Sequence, residues 1–475
     1  MKSWAIVLFL VVFATPAFAE TVSVSTLSDQ SSVNLTVYNM GRGLVKDVRK
    51  LTVPVGQGEL RFMDVASQIM PQTVHVKSLT ETDKFRVLEQ NYEYDLISRS
   101  KLLDKYVGQK IKLSAWNQDQ DKQTLSEATL ISNNDGGVYD INGEIYLGYP
   151  GYAVLPRLPE NLIAKPTLTW LFDNEQALSQ DVEVSYMTNG VTWSADYVLV
   201  VNKDDSAGDL AGWVTVDNQS GAMYQDAQLK LIAGKPNVVQ AQSPGRNRVN
   251  KEMMMLADSA GGSQFQEESL FEYHLYDLQR KTTIKDKQTK QISLLESAGI
   301  PLNKTYVVNN NDSNYYWQEN AATRKLPVKV GVSFKNSESD HLGMPIPAGI
   351  VRLYKQDKKG GQQFIGEDRV EHTPKDEQVK LKVGEAFDVV AEKKQVAFRR
   401  ISNRTTETET EVTIRNHKDE DVVVNVEELF YGMSEWDVLR SSLEYKKKDA
   451  QTLTFDVPVS KNGEAVVAYT VQVTN

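Results

Sequence analysis

The chain has 475 residues, 40% of them apolar and 24% charged, with 53 Lys and Arg against 63 Asp and Glu, a net charge of −10 and no cysteine. Those fractions exclude a disordered or fibrous chain, and the length suits roughly two to four domains whose cores need no staple. The acid balance makes nucleic acid and anionic lipid poor partners, and the missing thiols remove disulfides, thiolate catalysis, iron–sulfur clusters and cysteine-based zinc sites.

Residues 1–19 carry Lys2, an apolar run from Trp4 to Phe13, then Pro16 and Ala17-Phe18-Ala19. A charged start, a short apolar core and an A-x-A end make a secretory signal peptide, cut between Ala19 and Glu20. The run is shorter than the ~20 residues of a spanning helix. No cysteine follows the cleavage point, and no later segment reads as a span. The expectation is an exported chain, periplasmic or secreted, with no membrane span after cleavage.

The fold class expected is mainly β: several antiparallel sandwich or barrel domains with one short helix. In residues 20–92, Val33 to Tyr38 and Val74 to Leu79 alternate apolar and polar as half-buried strands do, which predicts an N-terminal sandwich. In residues 93–160, Leu96, Leu102, Leu103, Tyr106 and Val107 read as a helix stopped by Gly108. Short strands follow at Ile111–Leu113, Ala128–Ile131, Gly137–Tyr139 and Ile145–Leu147, predicting a small closed barrel. Pro150, Pro156, Pro159 and Pro166 mark a linker or edge crossing. Residues 161–235 return to strands, such as Val182–Tyr186, Tyr197–Val201 and Leu229–Ile232, and predict a central sandwich region. Residues 236–268 are rich in Pro, Gly, Gln, Ser and Asn, carry Met253-Met254-Met255, and read as a flexible insertion. Residues 269–475 close the chain as a C-terminal sandwich region, ending on strands at Asp421–Val426, Leu453–Val459 and Ala465–Val473.

Local catalytic signatures are missing. The histidines, His75, His274, His341, His372 and His417, lie far apart in sequence and match no zinc motif. There is no nucleophile elbow and no phosphate loop. Gly41-Arg42-Gly43 fails the dinucleotide fingerprint because Lys46 stands where the third glycine belongs. The run from Asn309 to Asn314 lacks the Gly and Glu of an EF-hand and reads as a turn. No cofactor and no metal are therefore expected. Two carboxylates gathered from distant strands could still hydrolyse a glycoside. The aromatic clusters Tyr149-Pro150-Gly151-Tyr152 and Tyr315-Tyr316-Trp317 suit sugar stacking or protein contact if exposed, and core packing if buried. Glu407, Glu409 and Glu411 fall on one face of a strand, as a cation strip or, the favoured reading, as a solvated face.

Three stretches carry a resemblance. Gly190-Val191-Thr192-Trp193-Ser194-Ala195-Asp196-Tyr197 is followed by Asp226 to Gly234; Pro347-Ala348-Gly349-Ile350-Val351-Arg352-Leu353-Tyr354 comes next; then Gly366-Glu367-Asp368-Arg369-Val370-Glu371-His372-Thr373-Pro374, continuing to Gly384-Glu385-Ala386-Phe387-Asp388. In this order, over roughly residues 30–475, they resemble the bacterial exported family catalogued as domain of unknown function 4139, whose C-terminal domain type is shared with mucoidy-inhibitor A-like proteins. Those proteins carry a central coiled coil, and this chain has no heptad run there. The family implies no established activity and no catalytic residues.

The motifs also make physical sense without chemistry. Trp193 and Tyr197 lie four apart, on one face of a strand, so both can bury in one core. Asp368, Arg369 and His372 read either as a polar site or as charges that fix a hairpin turn. The function expected is non-enzymatic binding or scaffolding of an envelope protein or glycan. The alternative is an envelope hydrolase with carboxylates brought together from distant strands.

Overall fold

The computed structural model describes residues 22–80, 84–94, 98–117, 121–157, 164–176, 179–234, 236–237, 264–310, 323–430, 432–433 and 435–474. The signal peptide with Ala19 and Glu20, most of the 236–268 insertion and Tyr315-Tyr316-Trp317 lie outside the described residues. The architecture is mainly β, as the alternation predicts: six sheets, most of their pairings antiparallel, and among the described residues a single α-helix, Arg99–Lys105.

The largest core joins segments distant in sequence. It runs from Val33 to Leu381 and takes residues from a four-stranded sheet, an eight-stranded sheet, a five-stranded central sheet and two strands of a six-stranded sheet. The stretches 20–92 and 161–235 interleave rather than stand apart: Gln30–Tyr38 pairs in parallel with Tyr224–Ala233, and Arg42–Thr52 pairs with Ser179–Asn189. These pairings follow from burial. Gln30–Tyr38 and Arg42–Thr52 pair with each other as neighbours in sequence, and each takes its second partner from the later stretch, so that the alternating inward residues of all four strands share one core.

The central sheet holds, in spatial order, Gln288–Pro301, Ala207–Asn218, Val191–Val201, Gly349–Gln356 and Gln362–Val370. Gly190, at φ +78, turns the chain from Ser179–Asn189 into Val191–Val201. The strand Val191–Val201 alternates without a break. Val191, Trp193, Ala195, Tyr197, Leu199 and Val201 are buried, and the residues between them face outward.

A second core lies between the two C-terminal sheets and runs from Tyr306 to Val473. The strand Lys329–Lys335 joins the cores, because Val332 and Phe334 pack in the first and Val330 packs against the second.

A third, small core belongs to residues 98–157, inserted between the paired strands Phe85–Glu93 and Thr167–Asn174. The helix expected before Gly108 is present: Ser98 caps it by accepting from the Lys101 amide, Leu103 is buried on it, and Tyr106 is buried at its C-cap. The closed barrel expected here is an open sheet. Its edge strands, Glu144–Leu147 and Tyr152–Val154, each pair with an inner neighbour but, among the described residues, not with each other. Helix residue Leu103 and the C-cap Tyr106 pack with the sheet's inward residues and cover one face instead.

Candidate functional site

The motif residues divide by strand parity into a buried set and an exposed set. Trp193 and Tyr197 are both buried, as their spacing predicts. Trp193 Nε1 donates to the Ile232 carbonyl at 3.2 Å. The Tyr197 hydroxyl donates to the Pro347 carbonyl at 2.8 Å, and the Tyr276 hydroxyl donates to the Pro345 carbonyl at 3.0 Å. Burial first, then the charge of Asp196, pushes the Tyr197 phenol up. Burial first, then Tyr197 and Glu267, does the same at Tyr276. Both stay neutral donors that pin the 345–347 segment.

Gly349 is required by close approach. A Cβ there would lie 2.3 Å from the Ala195 carbonyl oxygen and 2.8 Å from the Tyr197 ring. This contact lets Gly349–Gln356 run parallel to Val191–Val201.

The outward residues make three adjacent rows across the central sheet. In the first, Ser293, Trp213, Asp196, Ile350 and Arg369 stand side by side on successive strands. The second holds Glu296, Ala211, Val198, Arg352 and Glu367, and the third Asp209, Val200, Tyr354 and Phe364. Arg352 binds both neighbouring acids, Nη1 to Asp196 at 3.1 Å and Nε to Glu367 at 3.6 Å. Thr215 Oγ1 donates to Asp196 at 3.5 Å. Tyr354 and Phe364 meet edge to face at 5.7 Å, and Phe364 is 57% exposed. Trp213 is 39% exposed. It opens into a groove of about 420 Å³ lined also by Gln264, Arg280, Gln291, Ser293 and Glu296.

The residues singled out from sequence take different places. Arg369 is exposed on this outer face. Asp368, one residue earlier, points the other way and accepts from the amides of Lys382 at 2.7 Å and Arg369 at 2.9 Å. It thereby ties the edge strand Gln362–Val370 to Gln378–Glu385. His372 Nδ1 accepts from the Ala348 amide at 3.1 Å. Asp368 and His372 thus hold separate backbone segments.

Glu407 faces outward and pairs with Arg399. Thr406, Thr408 and Thr410, on the opposite parity, are buried. Tyr152 is 80% exposed, and Tyr149 packs against the small core. Among the described residues no group of three His, Asp or Glu side chains is placed to hold a metal. Sequence reading missed Asp196, Trp213, Arg352 and Glu367. Their outward parity on strands whose other face carries the apolar residues was the available signal.

The family model described as Domain of unknown function (DUF4139) matches residues 182–475, which include every residue of the three rows. No curated protein matches the chain.

Proposed function

The chain belongs to the family of domain of unknown function 4139, and we propose that it is an exported envelope protein that binds a glycan, without cleaving it, on the outer face of its central sheet. The observation that carries this reading is one open face on which aromatic rings flank hydrogen-bonding charges: Trp213 at one side, Tyr354 and Phe364 at the other, Asp196, Arg352 and Glu367 between. Sugar rings offer apolar CH faces to aromatic rings and hydroxyls to carboxylates and guanidinium groups. Strands spaced about 4.8 Å apart and rising about 3.3 Å per residue put Trp213 and Phe364 roughly 20 Å apart. That span suits an extended chain better than a single small molecule. The Lys2-to-Ala19 pattern supports export.

Binding is favoured over hydrolysis because a general acid needs a carboxyl whose pKa is raised. Among the described residues the carboxyls whose pKa is displaced are displaced downward: Asp205 against burial by Lys304 and Lys355, Asp357 by the Gly361 amide, Glu392 by Arg415, Glu420 by Lys418, Asp449 by the Gln451 amide and Asp456 by Asn425. They are held as ionised acceptors.

The test is co-sedimentation of the purified chain with insoluble envelope glycan, with tryptophan fluorescence titration by soluble fragments of the same polymer. Trp213→Ala is expected to weaken binding by about 2 kcal/mol, roughly thirtyfold, with an unchanged melting temperature. Progressive shortening of the glycan would replace this reading by hydrolysis. Retention of a protein and of no glycan would replace it by protein scaffolding.

A further inference from the structure

The C-terminal sandwich holds an ion pair on sheets other than the one that carries the proposed binding face. Lys393, on Val389–Arg400, and Glu428, on Val422–Leu429, belong to opposite sheets. Their side chains are 8% and 0% exposed. Lys393 Nζ lies 3.1 Å and 3.0 Å from the two carboxylate oxygens. In register, Lys393 adjoins Val412, and Glu428 adjoins Leu453, both fully buried. The amine and the carboxyl are therefore held in contact, in a dry interior, by two strands that cannot slide without breaking their ladders.

We propose that this pair is a self-modification site, at which Lys393 Nζ condenses with Glu428 Cδ to form an amide that joins the two sheets. The reaction needs no partner beyond the pair. One proton passes from the ammonium to a carboxylate oxygen, which frees the nitrogen lone pair. The C–N bond forms at Cδ. A second proton moves from nitrogen to the same oxygen, the C–O bond breaks, and water leaves. Charge balances because the positive amine and negative carboxylate become one neutral amide.

Three physical terms favour the step. Fixed proximity is worth an effective molarity of about 10⁵ M or more in well-oriented intramolecular reactions. A low-dielectric interior opposes two charges and accepts a neutral amide held in place. The same interior keeps out the water that would reverse the reaction. In a chain without cysteine, this is a covalent cross-link between sheets that its side chains can make by themselves.

The experiment is peptide mapping and fragmentation mass spectrometry of the full chain, denatured after storage at neutral pH until its mass is constant. Reading peptides keeps N-terminal processing out of the result. The expected outcome is a branched peptide containing Lys393 and Glu428, lighter than its two parts by one water, with no tryptic cut after Lys393. Lys393→Arg is expected to restore the full mass. Linear peptides ending at an unmodified Lys393 overturn the proposal, and so does a water deficit that survives in Lys393→Arg. The unmutated chain decides the matter even if the variant does not fold.

Discussion

Arg49 offers a quantitative test of how the first core is built. Its guanidinium is fully buried, stacks 3.6 Å above the centroid of the Phe62 ring, and gives Nε and Nη2 to one oxygen of Asp47 at 3.1 Å and 2.8 Å. Nη1 reaches Ser25 Oγ at 3.4 Å. The other Asp47 oxygen is buried with no hydrogen-bond partner among the described residues. Asp47→Ala removes the main counter-charge and strands a cation in apolar surroundings, which costs about 3–5 kcal/mol. For a unit of this size that is roughly 10 °C in melting temperature. Replacing both partners, Asp47→Leu with Arg49→Met, removes the desolvation cost together with the attraction. The double variant should return to within about 1 kcal/mol of the parent or exceed it. Urea denaturation of the full chain, followed through the buried Trp170 and Trp193, measures both. A double variant as unstable as the sum of the single ones would show that the pair contributes net stability and would refute the reasoning.

Two further predictions concern the joints of the fold. Burial would raise the Asp205 carboxyl, but hydrogen bonds and charge from Lys304 and Lys355 outweigh it and hold it below the ordinary carboxylate range. A carboxyl depressed in the folded state contributes stability above its unfolded pKa and loses it as pH falls through the folded value. Asp205→Asn should therefore cost stability at neutral pH, with the gap to the parent closing as pH falls below about 4; a gap that stays constant on acidification would contradict the assignment. Gly349→Ala should cost at least about 2 kcal/mol, since the new methyl meets the backbone of Ala195. Gly384→Ala, in another of the family stretches but with nothing within 4 Å, should change stability by less than about 0.5 kcal/mol. Equal losses in chemical denaturation would mean that close approach is not what requires Gly349.

The sequence made visible what depends on one strand at a time. Alternation revealed the β class, and the four-residue spacing of Trp193 and Tyr197 put both rings in one core. The outer face was hidden because Asp196, Trp213, Arg352 and Glu367 come from four strands. Asp196 and Trp213 meet across neighbouring strands, but Arg352 and Glu367 join them only because Gly349–Gln356 inserts beside Val191–Val201 in parallel, at the end of a long excursion. Periodicity fixes which way a side chain points but not which strand lies next to it. The closed barrel failed for the same reason: alternation sees strands, whereas closure depends on whether the two edge strands meet, with the matching tilt and shear.

The buried pair occupies a middle ground, and its signal is parity. Val389, Ala391 and Lys393 alternate on one strand, and Val422, Val424, Val426 and Glu428 on another. In both, a charged residue falls on the apolar parity, and the two charges are opposite. A single charge there usually marks a frayed strand end, because an unpaired ion does not stay in a core. Two strands that each end an apolar series on the inward side with opposite charges satisfy one another only if their sheets face each other at that level. The parity conflict therefore carries information about tertiary packing: it requires Val389–Arg400 and Val422–Leu429 to be opposed across one core, as the 3.0 Å contact between Lys393 and Glu428 has them.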